Sequence, residues 1–341
     1  MGYSLDPALP VTHSVRQVAL SELDGARAWL AEDDIHTGIH NARKCLKRLR
    51  SLLRLVETGL PEPQVDYLQS RLRGIGRELA PARDAQALIE TLDKLALKSP
   101  KLSQGKVFGQ IREWLENRRA NVEARGSDPV EKASEDLDKL RPLLAKLAVF
   151  PDDFEPIRKG AKQQYRACRD AYREAFKTKS DEALHEWRKQ VQRHWRQLQL
   201  LAPCWPDTLA ARAEHVHSLA KKLGDDHDLA NLQQLATAPA MSFGGADETE
   251  RLAKRCRKDQ KALRAEAKAL GARLFADKPK TFIARIETRW NAAVEAAAAA
   301  DKPAKRPDRQ PDAPAPAEPD ADRVNNVVFL DENLGAGSKA G

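Results

Sequence analysis

The chain has 341 residues, 41% apolar and 32% charged, with a formal net charge of +8 and a mean hydropathy of −0.62. This is the composition of a solvated helical protein, and no run approaches the roughly 18 consecutive apolar residues of a membrane-spanning helix. Four cysteines (Cys45, Cys168, Cys204, Cys256) lack CxxC spacing; they argue against a zinc ribbon or disulfide framework and for a reduced, cytoplasmic setting, and the first residues lack the basic start and apolar run of a secretory signal.

Strong helix formers dominate, and no alternating β-branched run competes with them. The pattern predicts helices over 13–31 and 34–58, then a turn at Leu60-Pro61-Glu62-Pro63. A helical stretch over 64–97 is disturbed near Pro81, and helices over 104–124 and 130–148 close the first half. The second half repeats the order with helices over 155–178, 180–202, 207–236, 246–276 and 279–300, and Pro203-Cys204-Trp205-Pro206 stands where the earlier turn stood. From Asp301 to Gly341 the composition turns to Pro, Asp, Ala and Lys without periodicity, so a disordered low-complexity tail is expected. Its one apolar island, Val327 to Leu330, reads as an inert extension or as a short docking peptide for a protein or granule partner. The tail carries six Lys/Arg and eight Asp/Glu, leaving +10 on the folded part, an excess that favours nucleic acid, acidic lipid or polyphosphate.

One basic pattern occurs twice. His40-Asn41-Ala42-Arg43-Lys44-Cys45-Leu46-Lys47-Arg48 is answered, 145 residues later, by His185-Glu186-Trp187-Arg188-Lys189-Gln190-Val191-Gln192-Arg193. Leu79 to Asp84 (LAPARD) is answered at nearly the same offset by Leu223 to Asp228 (LGDDHD). Such a period is longer than the about 20–50 residues of a solenoid unit and suits a small helical bundle. The expected fold is therefore all-α, with two four-helix bundles in tandem over about 10–150 and 151–300.

At about 100° per residue, His40, Arg43, Lys44, Lys47, Ser51 and Arg54 share one helix face. Ile39, Ala42, Cys45, Leu46, Leu49, Leu52, Leu53 and Val56 fall on the other side. In the second half His185, Arg188, Lys189, Gln192, Arg196 and Gln199 form the equivalent face, while Trp187, Val191, Leu198 and Leu201 turn toward the core; Arg48 and Arg193 flank the two stripes, and Arg50 lies at an edge. Like charges at i,i+3 and i,i+4 repel by a few tenths of a kcal/mol per pair, yet residues 40–54 contain no acid. A purely structural helix would intersperse Glu. Arg binds phosphate bidentately, Lys is a compact charge and His is a neutral donor that charges beside phosphate, so the implied ligand is a flexible anion with many equivalent oxygens. Secondary candidates are Arg27, Arg73, Arg77 and Arg83, then Arg166, Arg169, Arg173, Lys221, Lys222 and His227. Asp84 and Asp228 read as structural, buttressing the cations or capping a helix break.

The HxxRKxxKR pattern of His40 to Arg48, HEWRK at His185 to Lys189, and LGDDHDLANL from Leu223 together resemble the CHAD domain, the conserved histidine α-helical domain, over about residues 10–295. The resemblance implies two four-helix bundles related by a pseudo-two-fold axis, with basic faces lining a central groove. It implies binding of inorganic polyphosphate without catalysis or cofactor, through His40, Arg43, Lys44, Lys47, Arg48 and Arg50 with His185, Arg188, Lys189 and Arg193. Gln192 departs from the family's basic residue at that position, and Ala80-Pro81 departs from its glycine region. Two other readings compete. His215, His217, His227 and Asp228 are the residue types of a metal-dependent phosphohydrolase, although no matching histidines occur in the first half. A sequence-nonspecific nucleic-acid binder would use the same cations, but aromatics for base stacking make up only 5% of the chain.

Overall fold

The computed structural model describes residues 2–300 apart from 124–127, 240 and 242, with the backbone alone at 82, 83, 122, 123 and 128. The expected tail and its Val327 to Leu330 island lie outside the described residues. Among the described residues the chain is all helical, in the order α1 (Val11–Leu30), α2 (Ile35–Leu55), α3 (Glu62–Glu78), α4 (Ala80–Lys98), the single turn α5 (Pro100–Ser103), α6 (Lys106–Glu123) and α7 (Asp128–Ala145), then α8 (Glu155–Thr178), α9 (Asp181–Leu201), α10 (Pro206–Thr237), α11 (Ala246–Leu274) and α12 (Pro279–Ala300). Two 3-10 turns, Glu57–Gly59 after α2 and Ala202–Cys204 after α9, stand at the same offset as the basic motifs.

Local chemistry sets the helix ends. Asp34 caps α2, its Oδ1 accepting from the backbone N–H groups of His36 and Thr37 at 3.1 and 3.2 Å. Ser180 does the same for α9, accepting from Ala183 N at 3.1 Å. The stretch expected over 64–97 divides at Leu79, and Pro81, whose missing N–H is harmless in a first turn, starts α4. No such division occurs in the second half: α10 runs unbroken for 32 residues through Leu223 to Asp228, so there is no helix break there for Asp228 to cap.

The apolar faces read from the sequence are the buried ones. Ile39, Ala42, Cys45, Leu46, Leu49, Leu52 and Leu53 on α2 are buried, as are Leu184, Trp187, Val191, Leu198 and Leu201 on α9. The four cysteines are buried and free. The cores do not divide along the repeat, however. One apolar cluster runs from Leu5 through Leu49 to Trp187 and Trp290, drawing on both halves. A second joins α4 and α6 of the first half to α10 and α11 of the second through Leu92, Ile111, Leu115, Leu232 and Leu252. Met1–Asp301 accordingly form one compact unit. The expectation of one separate core per half is corrected here: period and order are visible in sequence, but the partner of each apolar face is set by tertiary packing.

Backbone contacts tie the halves together. Leu5 N donates to Leu200 O at 2.8 Å. Helix α8 presses Gly160 onto the C-terminal end of α2, where a Cβ on Gly160 would overlap the Leu55 carbonyl oxygen and stand 3.0 Å from Arg54 O. Main chain cannot yield as a side-chain tip can. Gly160→Ala should therefore lower unfolding stability by about 1–3 kcal/mol, seen as a lower urea midpoint with an unchanged slope. An undiminished midpoint would show that α8 does not approach α2 this closely.

Candidate functional site

The two basic helices meet at Ser51. This residue lies mid-stripe on the helical wheel, yet it is 2% exposed and its Oγ donates to the Arg193 carbonyl at 3.1 Å. A small side chain at that point lets α2 approach α9. The basic faces then line two cavities that share Lys47.

The smaller cavity, about 170 Å³, is lined by Lys47, Arg50, Ser51, Arg54, Gln69, Lys189, Gln192, Arg193 and Arg196. Among the described residues its wall has six cations and no carboxylate or imidazole. Two of the cations have acids behind them, Arg54 with Glu57 at 2.6 Å and Lys189 with Glu186. The other arginines are held by neutral oxygens. Arg50 Nε donates to Gln69 Oε1 at 3.2 Å, and Gln69 returns a bond to Arg50 O at 3.0 Å. Arg193 Nη1 donates to Gln164 Oε1 and Gln190 Oε1 at 3.2 and 3.0 Å. Arg196, 9% exposed, donates to Gln192 O at 2.8 Å and lies over the Trp195 ring. Burial, reinforced by Arg73, Arg193, Arg54 and Arg77, pushes the Arg50 guanidinium down to about 10. Burial, with further repulsion from Arg48, Arg188 and Arg193, takes Arg196 to about 10, and burial beside Arg54 lowers Arg193. Arginine stays charged at these values; burial is the main cause of the shifts and the neighbouring guanidinium groups add to it.

The larger cavity, about 630 Å³, is lined by His40, Arg43, Lys44 and Lys47 of α2, Asp84, Ala87 and Leu88 of α4, Arg188 of α9, and residues from His227 to Ala238 at the end of α10. Arg43 donates to the Gly76 carbonyl, and Lys44 Nζ donates to Asn41 Oδ1 at 3.1 Å. Burial lowers Arg188, and Asp228 opposes the shift. Asp84 and Asp228 thus face the cavity, near the cations. Neither is a cap: Leu79 holds the cap position of α4 without a side-chain capping bond, and Asp228 lies inside α10. Asn231 and Gln234 add neutral amides to this wall. His185 stands beside the cavity, its ring 4.2 Å from that of His227.

Other sequence candidates are placed elsewhere. Arg48 turns to α1 and the N-terminal segment, 3.6 Å from Glu22 and over the Tyr3 ring. Arg27 pairs with Asp138 at 2.8 Å, Arg173 with Asp170 at 3.3 Å, and Lys222 with Glu266. Arg73 and Arg77 are exposed and act on Arg50 by repulsion. Arg166 and Lys221 are exposed and line neither cavity. Arg169 is half-buried near Tyr165. The Arg83 side chain lies outside the described residues. Sequence reasoning missed the glutamines that aim the arginines and the polar end of α10. The signal for Gln190 was there, three residues before Arg193 on the same helix.

The histidines proposed for a phosphohydrolase do not converge. His217 stacks on Trp195 at 4.2 Å, His215 is exposed, and His227 pairs with His185. At 1.5 Å rise per residue, His217 and His227 stand about 15 Å apart along α10. Asp225 and Asp226 are engaged between helices rather than within one, with Lys94 at 2.7 Å and Arg264 at 2.6 Å.

A model of the family described as the CHAD domain matches residues 17–237. The chain belongs to the CHAD domain family. PptA from Streptomyces chartreusis has a similar fold, with a TM-score of 0.58 and 15% identity over 79% of this chain and 100% of that one. The crystal structure of the CHAD domain from the plant Ricinus communis gives a TM-score of 0.48 and 18% identity over 80% of this chain and 94% of that one. No curated protein matches the chain. At these identities the likeness to PptA is one of fold. Within this CHAD domain both cavities fall inside the matched region, apart from Ala238 at the rim of the larger one.

Repulsion among half-buried guanidinium groups weakens with added salt. Raising sodium chloride from 50 to 500 mM should therefore raise the urea midpoint of the wild type more than that of an Arg50→Gln/Arg193→Gln variant, in which the repulsion is already relieved. An equal salt response would mean that the arginines are neutralised by other groups.

Proposed function

We propose that this CHAD domain binds inorganic polyphosphate along the joined cavities and does not hydrolyse it. The observation that carries the reading is the smaller cavity, where six cations meet and the wall holds no carboxylate. Neutral hydrogen-bond partners orient Arg50, Arg193 and Arg196 without cancelling their charge. Phosphate oxygens would form charge-assisted bonds there, and Lys47 leads the chain into the larger cavity. The smaller cavity offers no carboxylate or imidazole as a general base for activating a water; the larger one holds Asp84, Asp228 and two histidines, so the assay with magnesium below tests turnover directly.

Nucleic acid supplies phosphates too. Neither cavity wall contains Phe, Tyr or Trp, however, so bases would find no stacking platform. Among the described residues no helix is long and apolar enough to cross a membrane. The cytoplasmic setting belongs to the proposal, and so does a granule tether through 301–341.

Calorimetry with polyphosphates of graded length tests the reading. Affinity should rise with length until both cavities are spanned. Arg54→Gln/Arg193→Gln should weaken long-chain binding about tenfold or more, the scale of one or two charged hydrogen bonds. Arg27→Gln, at the Asp138 pair on the α1–α7 surface, should change it less than about twofold. Length-independent binding, equal loss in both variants, displacement by RNA at lower concentration than by polyphosphate, or phosphate release with magnesium present would each sink the proposal.

A further inference from the structure

The stack of His185 on His227 is not explained by positive charge alone. The rings approach to 4.2 Å between centroids at 36°. His227 lines the larger cavity, and His185 backs it with an Nδ1 that is buried without a hydrogen-bond partner among the described residues. Asn231 Nδ2 sits 3.2 Å from His227 Nε2, the arrangement of an amide donating to a neutral ring. Two rings in this contact cannot both carry charge at small cost, so the pair titrates as one unit that accepts a single proton first.

The surroundings keep that proton off. Burial, then Arg188 and His185, takes His227 down to about 4, against an opposing pull from Asp181. Burial, then Arg188 and Lys189, lowers His185, with Glu186 opposing. Across the cavity stand His40, Arg43, Lys44 and Lys47 on α2, while Asp84 on α4 and Asp228 on α10 are its acids. On the far face of α10, Arg264 of α11 is engaged with Asp226 and with Asp181. Cations therefore outnumber acids on the cavity side of the pair.

We propose that the His185–His227 stack is a proton-uptake site coupled to anion binding: a phosphate chain in the larger cavity drives one proton onto the pair, so the protein holds its ligand more tightly as the pH falls. The inference rests on the polyphosphate reading and adds to it a regulation of the same site. A bound phosphate chain offsets the repulsion from Arg188 and the α2 cations. At an effective dielectric near 20, each unit of negative charge about 5 Å away raises a pKa by about two. The protonated ring then donates to phosphate or to Asn231, whose amide presents its oxygen after a half-turn. The sign follows. The free pair titrates well below the ordinary imidazole value and the bound pair about two or more higher, so between the two the complex holds more protons. Affinity must therefore rise on acidification through that window and level off above it.

The test is calorimetry of the full-length protein with long-chain polyphosphate, which has few titrating end groups. It is run at pH 6 in two buffers of different ionisation enthalpy, and again from pH 8 to 5.5. The wild type should take up roughly half to one proton per bound chain and tighten about three- to tenfold on acidification. His185→Asn/His227→Asn should lose both effects. Equal uptake in wild type and variant would place the proton on the ligand or on His40 and overturn the assignment. Binding without uptake would overturn it while leaving the polyphosphate reading intact, and absence of binding at every pH would remove both. NMR of the wild-type imidazoles guards against a poorly folded variant: the His185 and His227 midpoints should rise on adding polyphosphate, and unmoved midpoints would again refute the coupling.

Discussion

Everything about this site turns on keeping several guanidinium groups charged, close together and half-buried. Two unit charges about 5 Å apart at an effective dielectric near 20 repel by about 3 kcal/mol, and withdrawing each from water costs more. Ion pairs would satisfy the N–H groups, but they would cancel the field. The chain uses amide and carbonyl oxygens instead: Gln69 for Arg50, Gln164 and Gln190 for Arg193, and the Gln192 carbonyl for Arg196. Such bonds fix direction and leave the charge in place. Arginine meets aspartate or glutamate away from both cavity walls at Arg27–Asp138, Arg71–Asp136 and Arg141–Asp24, whereas Arg54, in the smaller wall, is backed by Glu57.

That arrangement needs a rigid support, which the apolar faces of the same helices provide. Trp187 and Val191, between the basic residues of α9, are fully buried, as are Leu49, Leu52 and Leu53 on α2. Small residues then set how near the helices come: Ser51 where α2 meets α9, and Gly160 where α8 meets α2. Because both apolar clusters draw on both halves, neither basic face can move away without disturbing a core. The composite cavity is thus a consequence of shared packing rather than of two bundles placed side by side.

Much of this was legible in the sequence, for definite reasons. Helix ends fell within a few residues of expectation because Pro61, Pro63, Pro203, Pro206 and the Asp34 and Ser180 caps punctuate the chain locally. The polar and apolar sides of α2 and α9 followed from helical periodicity. A single-helix wheel cannot show what a neighbour presents, and the misses are of that kind. Arg48 flanks the stripe on the wheel, and the family resemblance implied a binding role for it, but α1 brings Glu22 to it. Asp228 read as a possible cap of a helix break, but α10 continues through it. Two of the neutral partners, Gln69 and Gln164, come from α3 and α8, which carry no conspicuous motif.

The two cavities differ in a way that the repeated motif conceals. The smaller has no acid in its wall, whereas the larger gathers Asp84 from one half, Asp228 from the other, and the neutral amides of Asn231 and Gln234. A uniform polyanion would meet a steep positive field at one end and a moderated one at the other. Lys47 is the residue common to both walls. Lysine suits that place better than arginine: its ammonium is a compact charge on a flexible stem, able to follow an oxygen from one side to the other, while a guanidinium fork would favour one bidentate pose. Across the smaller cavity Gln192 stands where the family pattern has a second basic residue. The five other cations of the smaller wall bias the Lys47 ammonium toward the larger cavity, where Asp84 and Asp228 moderate the field, so the chain's hand-over point leans to that side.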